Sequence, residues 1–272
     1  MADNAAPKVQ RALREDVDTP QTVAAALASF RERYGDLQLP PIAVVIAALN
    51  EEEALGEVIA EVPDSIAGLQ TRVVLVDDGS TDATSDIAER AGALVCRLPR
   101  NCGHGVALRT GYRIAWENGA RYIATLDADG QWDPTDLPEM MSLLEADKAD
   151  FVIGSRQLGR TENTDRLRNL GVRVFSRLIS LLTRSRITDS SSGLRAMRVE
   201  VAREVRQTQP QYQTSELLIG AIFQGYRVAE VPTVMRLRRA GESKKGHNLL
   251  YGMRYARVIL KTYLRERRDR RR

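Results

Sequence analysis

Between residues 42 and 155 the chain alternates between apolar runs of strand length and longer stretches with a helical pattern. The apolar runs are IAVVIAAL, RVVLV, ALVCRL, YIATLDAD and DFVIGS, whose aliphatic content is typical of buried strands. Helix patterns fill the intervals, among them NEEEALGEVIAEVP, GVALRTGYRIAWENGA and residues 135–147. Because short connections join alternating strands and helices, the pattern predicts an α/β fold with a largely parallel sheet covered on both faces.

Polar side chains follow the predicted strands at the point where each strand ends. The segments NEEE, DDGS, DADGQ and GSR each come directly after an apolar run. In open parallel sheets, ligands bind beyond the carboxyl ends of the strands, so these groups are expected to converge on one edge. Asn50 is also expected to cap the helix that follows it, whose first turn carries three glutamates.

The beginning of the chain differs from this middle part. Residues 1–19 are polar and mixed in charge, which predicts an unstructured segment. The helix pattern QTVAAALASFRERYG follows, with Gly35 as its stop signal and LQLPP as a linker. We therefore expect residues 1–40 to form a partly helical N-terminal extension.

After residue 160 the chain becomes amphipathic and rich in arginine. The segment RLRNLGVRVFSRLISLLTRSRI places Leu170, Val174, Leu178 and Leu181 on one helical face. A similar combination in NLLYGMRYARVILKTYLRERRDRRR predicts an amphipathic helix and a basic tail over residues 246–272. Such helices either pack on their own domain or lie in a membrane interface, with arginines among the headgroups. Both interpretations stay open at this point.

Composition narrows the class of protein. With 272 residues, 43% of them hydrophobic, the chain can bury a core without disulfides or a structural metal. Cys96 and Cys102 are expected to be free thiols in a reducing, cytoplasmic compartment. No apolar run reaches the roughly 18 residues that a membrane-spanning helix needs.

The net charge is only +4, and the arginine tail suits anionic lipid or nucleic acid. Since no basic surface is interleaved with aromatic residues, we expect no nucleic-acid partner.

The stretch YIATLDADGQWDP carries the strongest candidate site. Asp127 and Asp129 leave a buried strand one residue apart, and in a turn both carboxylates can point to one side. Their oxygens suit a hard cation such as Mg²⁺ or Mn²⁺, which commonly brings substrate phosphates with it, and Gln131 can add an amide oxygen.

Two further segments lie at neighbouring strand ends. The acid pair in VLVDDGSTD suits the base or ribose of a nucleoside, although turns and helix caps also use such acids. The glycine-rich NCGHGVALRTG offers backbone N–H groups to a phosphate or a base, or its glycines serve only the turn.

Several segments, taken in order, resemble the family 2 glycosyltransferases. They are VVIAALNEEEAL, VLVDDGSTDAT, NCGHGVALRTGY, ATLDADGQWDP, VIGSR, ITDSSSGLRA, and GYRVAEVP with RRAGESKK. More narrowly, they are similar to the dolichyl- or polyprenyl-phosphate sugar synthases, from about Ile42 to Lys245. The resemblance implies a GT-A fold over residues 41–245, which is a Rossmann-like, mixed but mainly parallel sheet flanked by helices. It also implies a nucleotide sugar bound in the N-terminal half.

The resemblance also assigns roles to particular residues. The metal-binding D-x-D-x-Q corresponds to Asp127, Asp129 and Gln131. The residues expected in catalysis are Asp129, Arg156 and Asp189. The acceptor phosphate is expected on Arg156, with Arg168 as a second candidate. The nucleotide sugar is expected against Ala47, Leu49, Glu51, Asp77, Asp78, Gly105, Asp127, Ala128, Arg239 and Lys244.

At three positions the chain departs from the family pattern. Ala47 and Leu49 stand where Pro and an aromatic residue are frequent, so the base is stacked differently or is a different base. Trp132 stands where many members have histidine.

These expectations combine into one reaction, the inverting transfer of a hexose from GDP-mannose or a UDP-hexose to polyprenyl or dolichyl phosphate. Near pH 7 a phosphomonoester, whose second pKa is about 6, is already a nucleophile and needs no strong general base. Arginines would position it, and Mg²⁺ or Mn²⁺ would offset the charge on the departing diphosphate. The protein would then be cytoplasmic and peripheral on the inner face of the cell membrane, and self-association into a homo-oligomer stays open.

Two alternatives belong to other classes of function. One is transfer to a soluble hydroxyl acceptor, which requires a base, and Asp189 or Glu216 would be the candidate. The other is a non-catalytic protein that binds a nucleotide sugar.

Overall fold

The computed structural model describes residues 19–239 and 248–270. The strands are β1 (Ile42–Ala48), β2 (Ser65–Ile66), β3 (Leu69–Asp77), β4 (Leu94–Arg97), β5 (Tyr122–Asp127), β6 (Phe151–Thr161), β7 (Arg195–Arg198) and β8 (Val228–Met235). The helices are α1 (Thr19–Tyr34), α2 (Leu55–Ala60), α3 (Thr84–Arg90), α4 (His104–Glu117), α5 (Leu137–Glu145), α6 (Arg166–Thr183), α7 (Val199–Glu204), α8 (Gln213–Phe223) and α9 (Asn248–Asp269).

The strands form one mixed sheet in the order β2-β3-β1-β5-β7-β6-β8, and β4 pairs with β3. The pairs of β1 with β3, β1 with β5, β3 with β4 and β6 with β8 are parallel. Strand β7 runs antiparallel between β5 and β6. The predicted α/β class with a mainly parallel sheet is therefore confirmed.

Both faces of the sheet are buried, because successive side chains of a strand point to opposite sides. Along β1, Ala43 and Val45 pack in the layer that includes residues of α1, α4, α8 and α9. Val44 and Ile46 pack in the opposite layer, with residues of α2, α3 and α5. Cys96 and Cys102 are buried free thiols, as expected.

The carboxyl ends of the central strands meet at one edge of the sheet. Ala47 of β1 is opposite both Val76 of β3 and Asp127 of β5, and Ala48 is opposite Asp77. The polar groups that follow these strands therefore start from the same level, as the strand-end pattern predicts.

The N-terminal helix is confirmed, but the expected helix cap at Asn50 is wrong. Asn50 has a positive φ of 51°, and α2 begins only at Leu55. The Asn50 Oδ1 atom instead accepts a hydrogen bond of 2.8 Å from the Thr81 N–H. This contact ties the loop after β1 to the loop after β3, so Asn50 shapes the edge where the site lies.

Helix α6 packs on the domain through a different face from the predicted one. Its buried residues are Val172, Ser176 and Ile179. Leu170 of the predicted face is 55% exposed, and Leu181 is 78% exposed. The helix therefore packs on its own domain through one face, while a second apolar face reaches solvent, and lipid contact by that second face stays a prediction.

Helix α9 also belongs to the folded body. The Tyr255 ring lies 4.7 Å from the Phe175 ring of α6, and Ile259 is fully buried. None of the helices in the described ranges has a stretch long and apolar enough to cross a lipid bilayer.

Candidate active site

The D-x-D turn leaves β5 at the edge of the sheet. Asp127 is half-buried, whereas Asp129 is only 6% exposed. The Trp132 indole donates from Nε1 to Asp127 Oδ2 at 2.8 Å. The Gln131 backbone N–H donates to Asp129 Oδ1 at 3.1 Å. Gly130 completes the turn with φ of 72°, a conformation that glycine adopts without steric cost.

An arginine from the segment after β8 reaches the second oxygen of Asp129. Arg238 Nη2 lies 2.8 Å from Asp129 Oδ2, and its Nη1 lies 3.7 Å from Glu51 Oε1. The backbone fixes this placement, because the Arg236 N–H donates to the Gln131 carbonyl at 2.8 Å and the Arg239 N–H donates to the Asp129 carbonyl at 3.2 Å. The segment therefore lies directly beside the D-x-D turn.

Arg239, which the resemblance assigns to the donor diphosphate, points elsewhere. Its Nη1 lies 2.9 Å from Glu57 Oε2, and its Nη2 pairs with Glu61. Neighbouring residues of an extended segment point to opposite sides, so only one of two adjacent arginines can face the D-x-D acids. In this structure that residue is Arg238, and Lys244 lies outside the described residues.

The acid pair after β3 is buried and already hydrogen-bonded. Asp77 accepts from the Ser80 N–H at 2.7 Å, while Asp78 accepts from Cys102 N–H at 2.7 Å and Gly103 N–H at 2.9 Å. Burial raises the pKa of Asp78 to about 7, and the Asp77 charge adds to the rise, although the two N–H donors oppose it.

These bonds change the expectation for the glycine-rich loop. The N–H groups of Cys102 and Gly103 are directed at Asp78, and the Gly105 N–H donates to the Pro210 carbonyl at 2.8 Å. These three groups donate within the protein, which favours the alternative that the glycine-rich segment serves the turn, and a role in nucleotide binding stays a prediction. Gly105 packs so tightly that an added Cβ would lie 2.5 Å from the Gln209 carbonyl oxygen.

The other residues expected near the nucleotide lie around the same edge. Ala47 and Ala128 are buried and Leu49 is half-buried. The Glu51 N–H donates to Thr84 Oγ1 at 2.9 Å, which holds Glu51 at the start of the loop after β1. Contact of these residues with a nucleotide stays a prediction.

Arg156 and Asp189 form a buried ion pair. Arg156, 4% exposed, donates from Nε to Asp189 Oδ2 at 2.6 Å and from Nη2 to Asp189 Oδ1 at 3.1 Å. Its Nη2 also reaches Ser191 Oγ at 3.0 Å, and its Nη1 lies 3.0 Å from Met235 Sδ. Arg156 thus holds the loop that contains Asp189, and its guanidinium faces protein groups instead of the surface.

Arg168 is in a different environment. It is half-buried in the first turn of α6, where its backbone N–H donates to the capping Asp165 carboxylate at 3.0 Å. Contact with an acceptor phosphate stays a prediction for both arginines, and the geometry favours Arg168 for the direct contact because Arg156 is buried.

Gly193 brings the Asp189 loop against the D-x-D turn. A Cβ built at Gly193 would lie 2.2 Å from Asp127 Oδ2, so the carboxylate fills the space that a side chain would take. The donor set of Asp127, Asp129 and Gln131 is all oxygen and fits a hard divalent cation. The described residues contain no group of three or more His, Cys, Asp or Glu side chains that could hold a metal by themselves. Such a cation would therefore complete its shell with substrate phosphates and water.

Glu216, a candidate base for a hydroxyl acceptor, and Arg195 at the start of β7 both have structural contacts. Glu216 is fully buried and accepts from the Thr208 and Gln209 N–H groups at 2.7 and 2.9 Å, while Arg265 Nη1 lies 2.7 Å away. Arg195 is fully buried and donates from Nε to the Ser192 carbonyl at 2.9 Å. Glu216 anchors α9, and Arg195 fixes the loop before β7.

Trp132 and Arg238 are the contacts that the sequence interpretation missed. Trp132 appeared only as a departure from a family pattern, although an indole N–H three positions after Asp129 is a donor within reach of the D-x-D acids. Arg238 is one of two adjacent arginines, and a register between the segment and the turn is needed to choose between them. Both residue types are visible in the sequence, but their contacts with the aspartates depend on the folded positions of the side chains.

Comparison with known proteins connects this site to a family. Residues 43–206 match the family described as Glycosyl transferase family 2. A dolichyl-phosphate hexose transferase from Haloferax volcanii is 36% identical over 203 residues, which are 75% of this chain and 86% of that protein. A dolichol-phosphate mannosyltransferase from Pyrococcus furiosus is 29% identical over 231 residues, which are 81% of this chain and 64% of that protein.

Solved structures agree on the architecture. Glucosyl-3-phosphoglycerate synthase from Mycobacterium tuberculosis, in complex with Mn²⁺, UDP-glucose and phosphoglyceric acid, matches with a TM-score of 0.64 and 21% identity. The match covers 89% of this chain and 82% of that chain. This similarity confirms the predicted fold.

Proposed function

The chain belongs to glycosyl transferase family 2, and on that premise we propose that this GT-A glycosyltransferase moves a hexose from a nucleotide sugar to a polyprenyl or dolichyl phosphate. The relatives named for dolichyl-phosphate and dolichol-phosphate transfer support the acceptor. The Mn²⁺ and UDP-glucose in the structural neighbour support a divalent cation and a nucleotide-sugar donor. GDP-mannose and UDP-hexoses are the donors that we propose to test.

One observation of the structure supports an acceptor with a lipid tail. The leucine stripe, defined as the exposed residues Leu167, Leu170, Val174 and Leu181, runs along α6. Glu162 lies shortly before α6 and contacts the segment after β8 that contains Arg238. Its Oε2 accepts the Leu237 N–H at 3.1 Å. Leu237 is itself exposed and precedes Arg238 directly. Exposed apolar side chains thus lie both on α6 and directly before Arg238, and we propose that an acceptor with a lipid tail enters between them.

Charge around the leucine stripe fits the same acceptor. Arg166, Arg173 and Arg177 are exposed on α6. Arginines beside an apolar face are the combination with which an interfacial helix binds anionic lipid. We therefore propose a peripheral position on the cytoplasmic face of the cell membrane, where a phosphate headgroup can reach Arg168.

The residues of the site divide into a donor side and an acceptor side. Asp127, Asp129 and Gln131 would hold Mg²⁺ or Mn²⁺, which when bound offsets the charge on the departing nucleoside diphosphate. On the acceptor side, Arg168 would position the phosphomonoester, which is largely dianionic near pH 7 because its second pKa is about 6. Attack in line with the departing diphosphate inverts the anomeric carbon.

The geometry disfavours a hydroxyl acceptor, because neither candidate base is available. A general base has to reach the proton that it abstracts. Asp189 is fully buried in its pair with Arg156, and Glu216 is fully buried in contacts with Arg265 and the 208–209 backbone. A phosphate acceptor needs no such base.

The test is a transfer assay with Mn²⁺, a panel of GDP- and UDP-hexoses, and two lipids that differ only in the phosphate. We expect glycolipid with polyprenyl phosphate and none with the corresponding polyprenol. Equal transfer to both lipids, or transfer only to soluble hydroxyl compounds, would contradict the proposal.

A further inference from the structure

We propose that Trp132 is a positioning residue that orients the Asp127 carboxylate for the divalent cation. This inference rests on the proposed function, which places the cation at the D-x-D turn. The indole is 3% exposed, and its Nε1 lies 2.8 Å from Asp127 Oδ2. Trp132 would thus act through Asp127, without touching the substrate itself.

The indole is held rigidly enough to serve this purpose. The Arg156 guanidinium lies over its ring, with Cζ 5.1 Å from the ring centroid. The Trp132 backbone forms an antiparallel bridge with Met235, whose Sδ is 3.0 Å from Arg156 Nη1. Because Arg156 is fixed in turn by Asp189, the N–H has one direction in which to point.

A neutral donor affects a ligand carboxylate differently from a cation. The indole N–H occupies one lone-pair site of Oδ2 and adds no positive charge that would repel a metal ion. It also restricts rotation of the Asp127 carboxylate. Hydrogen-bond partners of this kind, next to metal-ligating residues, typically change metal affinity by about 10- to 100-fold when they are removed.

Gly193 leaves the space that the Asp127 carboxylate occupies in this orientation. The Asp127 carboxylate occupies the space where a Cβ at position 193 would lie, 2.2 Å from Oδ2. One side of the carboxylate is thus bounded by the Gly193 backbone and one oxygen is held by Trp132. Loss of the indole N–H would free the side chain to rotate away from the position that this pocket gives it.

The experiment compares Mn²⁺ binding by calorimetry in Trp132→Phe and in Trp116→Phe, with GDP or UDP present. Phe at 132 keeps a ring below Arg156 but removes the N–H donor. Trp116, the other tryptophan of the chain, is half-buried on α4 and packs against the core, so it provides the matched control. We expect the Kd for Mn²⁺ to rise at least tenfold in Trp132→Phe and to stay unchanged in Trp116→Phe.

The Trp116→Phe protein supplies a second, independent measurement. Trp132 is then its only tryptophan, and paramagnetic Mn²⁺ bound at Asp127 is expected to quench its fluorescence. This measurement keeps the inference falsifiable even when Trp132→Phe fails to fold. An unchanged emission at a Mn²⁺ concentration that calorimetry shows to be saturating would overturn the inference.

The outcomes separate this inference from the proposed function. If the wild-type protein binds Mn²⁺ and Trp132→Phe binds it with the same Kd, the positioning role is wrong and the metal site stands. If the wild-type protein binds no Mn²⁺ with either nucleotide, both proposals fall. Impaired Mn²⁺ binding with an unchanged KM for polyprenyl phosphate would confirm an effect on the donor side alone.

Discussion

Arg238 Nη2 and Asp129 Oδ2 form an ion pair at 2.8 Å, while the other oxygen, Oδ1, accepts the Gln131 N–H. The arginine is 22% exposed at its side chain and the aspartate 9%. A divalent cation that coordinates Asp129 therefore has to share Oδ2 with a guanidinium or displace it. Since the two cations repel each other, metal binding and the position of Arg238 are coupled.

The first prediction follows from this competition. Arg238→Gln removes the competing charge, and we expect the Kd for Mn²⁺ in the absence of nucleotide to fall about tenfold, which corresponds to about 1.4 kcal/mol. Arg239→Gln is the matched control, because Arg239 pairs with Glu57 and Glu61. Calorimetry with Mn²⁺ compares the two variants. An equal change in both would mean that general charge, and not the contact with Asp129, sets the affinity.

Asp129→Asn is expected to abolish metal-dependent transfer and to lower the stability of the protein. The Asp129 side chain is nearly buried and paired with Arg238, so loss of its charge leaves the guanidinium without this partner. We expect the free energy of unfolding to fall by about 1–3 kcal/mol while the fold is retained. Transfer assays and urea unfolding measure the two effects. Transfer at the wild-type rate would remove Asp129 from the metal site.

The leucine stripe predicts that α6 contacts lipid. Leu170→Glu is expected to reduce co-sedimentation with anionic vesicles severalfold, because it places a charge in the middle of the apolar face. Gln70→Glu adds the same charge at an exposed position on β3, near the opposite edge of the sheet, and is expected to have no effect. Equal co-sedimentation of the two variants would show that α6 is not the contact surface. Removal of residues 249–272 is a poorer test, since Tyr255 and Ile259 belong to the core.

The fold could be predicted from the sequence because its signals are local. The runs at β1, β3 and β5 are apolar and strand-long, and each ends in a polar segment, which is enough to predict a mainly parallel sheet with a polar edge. The position of β7 between β5 and β6 could not be predicted, since it depends on pairing between distant segments. The packing face of α6 was also missed, because both of its faces carry apolar residues.

The candidate site could be predicted in its acids but not in their partners. Asp127 and Asp129 were evident because they follow a strand directly. The arginine that pairs with Asp129 comes from a segment more than a hundred residues later along the chain, and only the register with the D-x-D turn selects Arg238 over Arg239. The buried state of Arg156 was hidden for the same reason, since its partner Asp189 lies in another loop.

Asp78 predicts a pH dependence of stability. Its pKa in the folded protein is raised to about 7 from 3.8, mainly by burial, so between these values the folded state holds a proton that the unfolded chain has released. The folded state binds more protons there, and the free energy of unfolding is therefore expected to fall as pH rises from about 4 to about 7 and to level off above it.

Urea unfolding at several pH values measures this dependence. Asp78→Asn is expected to remove the slope that Asp78 contributes, whereas Asp86→Asn, which changes an exposed carboxylate on α3, is expected to keep it. A slope of the same size in all three proteins would show that Asp78 titrates alike in both states.

The last prediction concerns the close approach of the Asp189 loop, at Gly193, to the D-x-D turn. In Gly193→Ala the new Cβ would meet Asp127 Oδ2 at 2.2 Å, so the carboxylate or the loop has to move. We expect the Kd for Mn²⁺ to rise at least tenfold and transfer to fall in proportion, because the displaced carboxylate loses its contact with the Trp132 N–H as well. Gly171→Ala on α6 is the matched control, since its Cβ would meet nothing within 4 Å, and alanine favours a helix over glycine by about 0.5–1 kcal/mol. Gly171→Ala is therefore expected to gain stability with unchanged Mn²⁺ binding. Unchanged binding in Gly193→Ala would mean that Asp127 does not need the orientation that Gly193 and Trp132 give it.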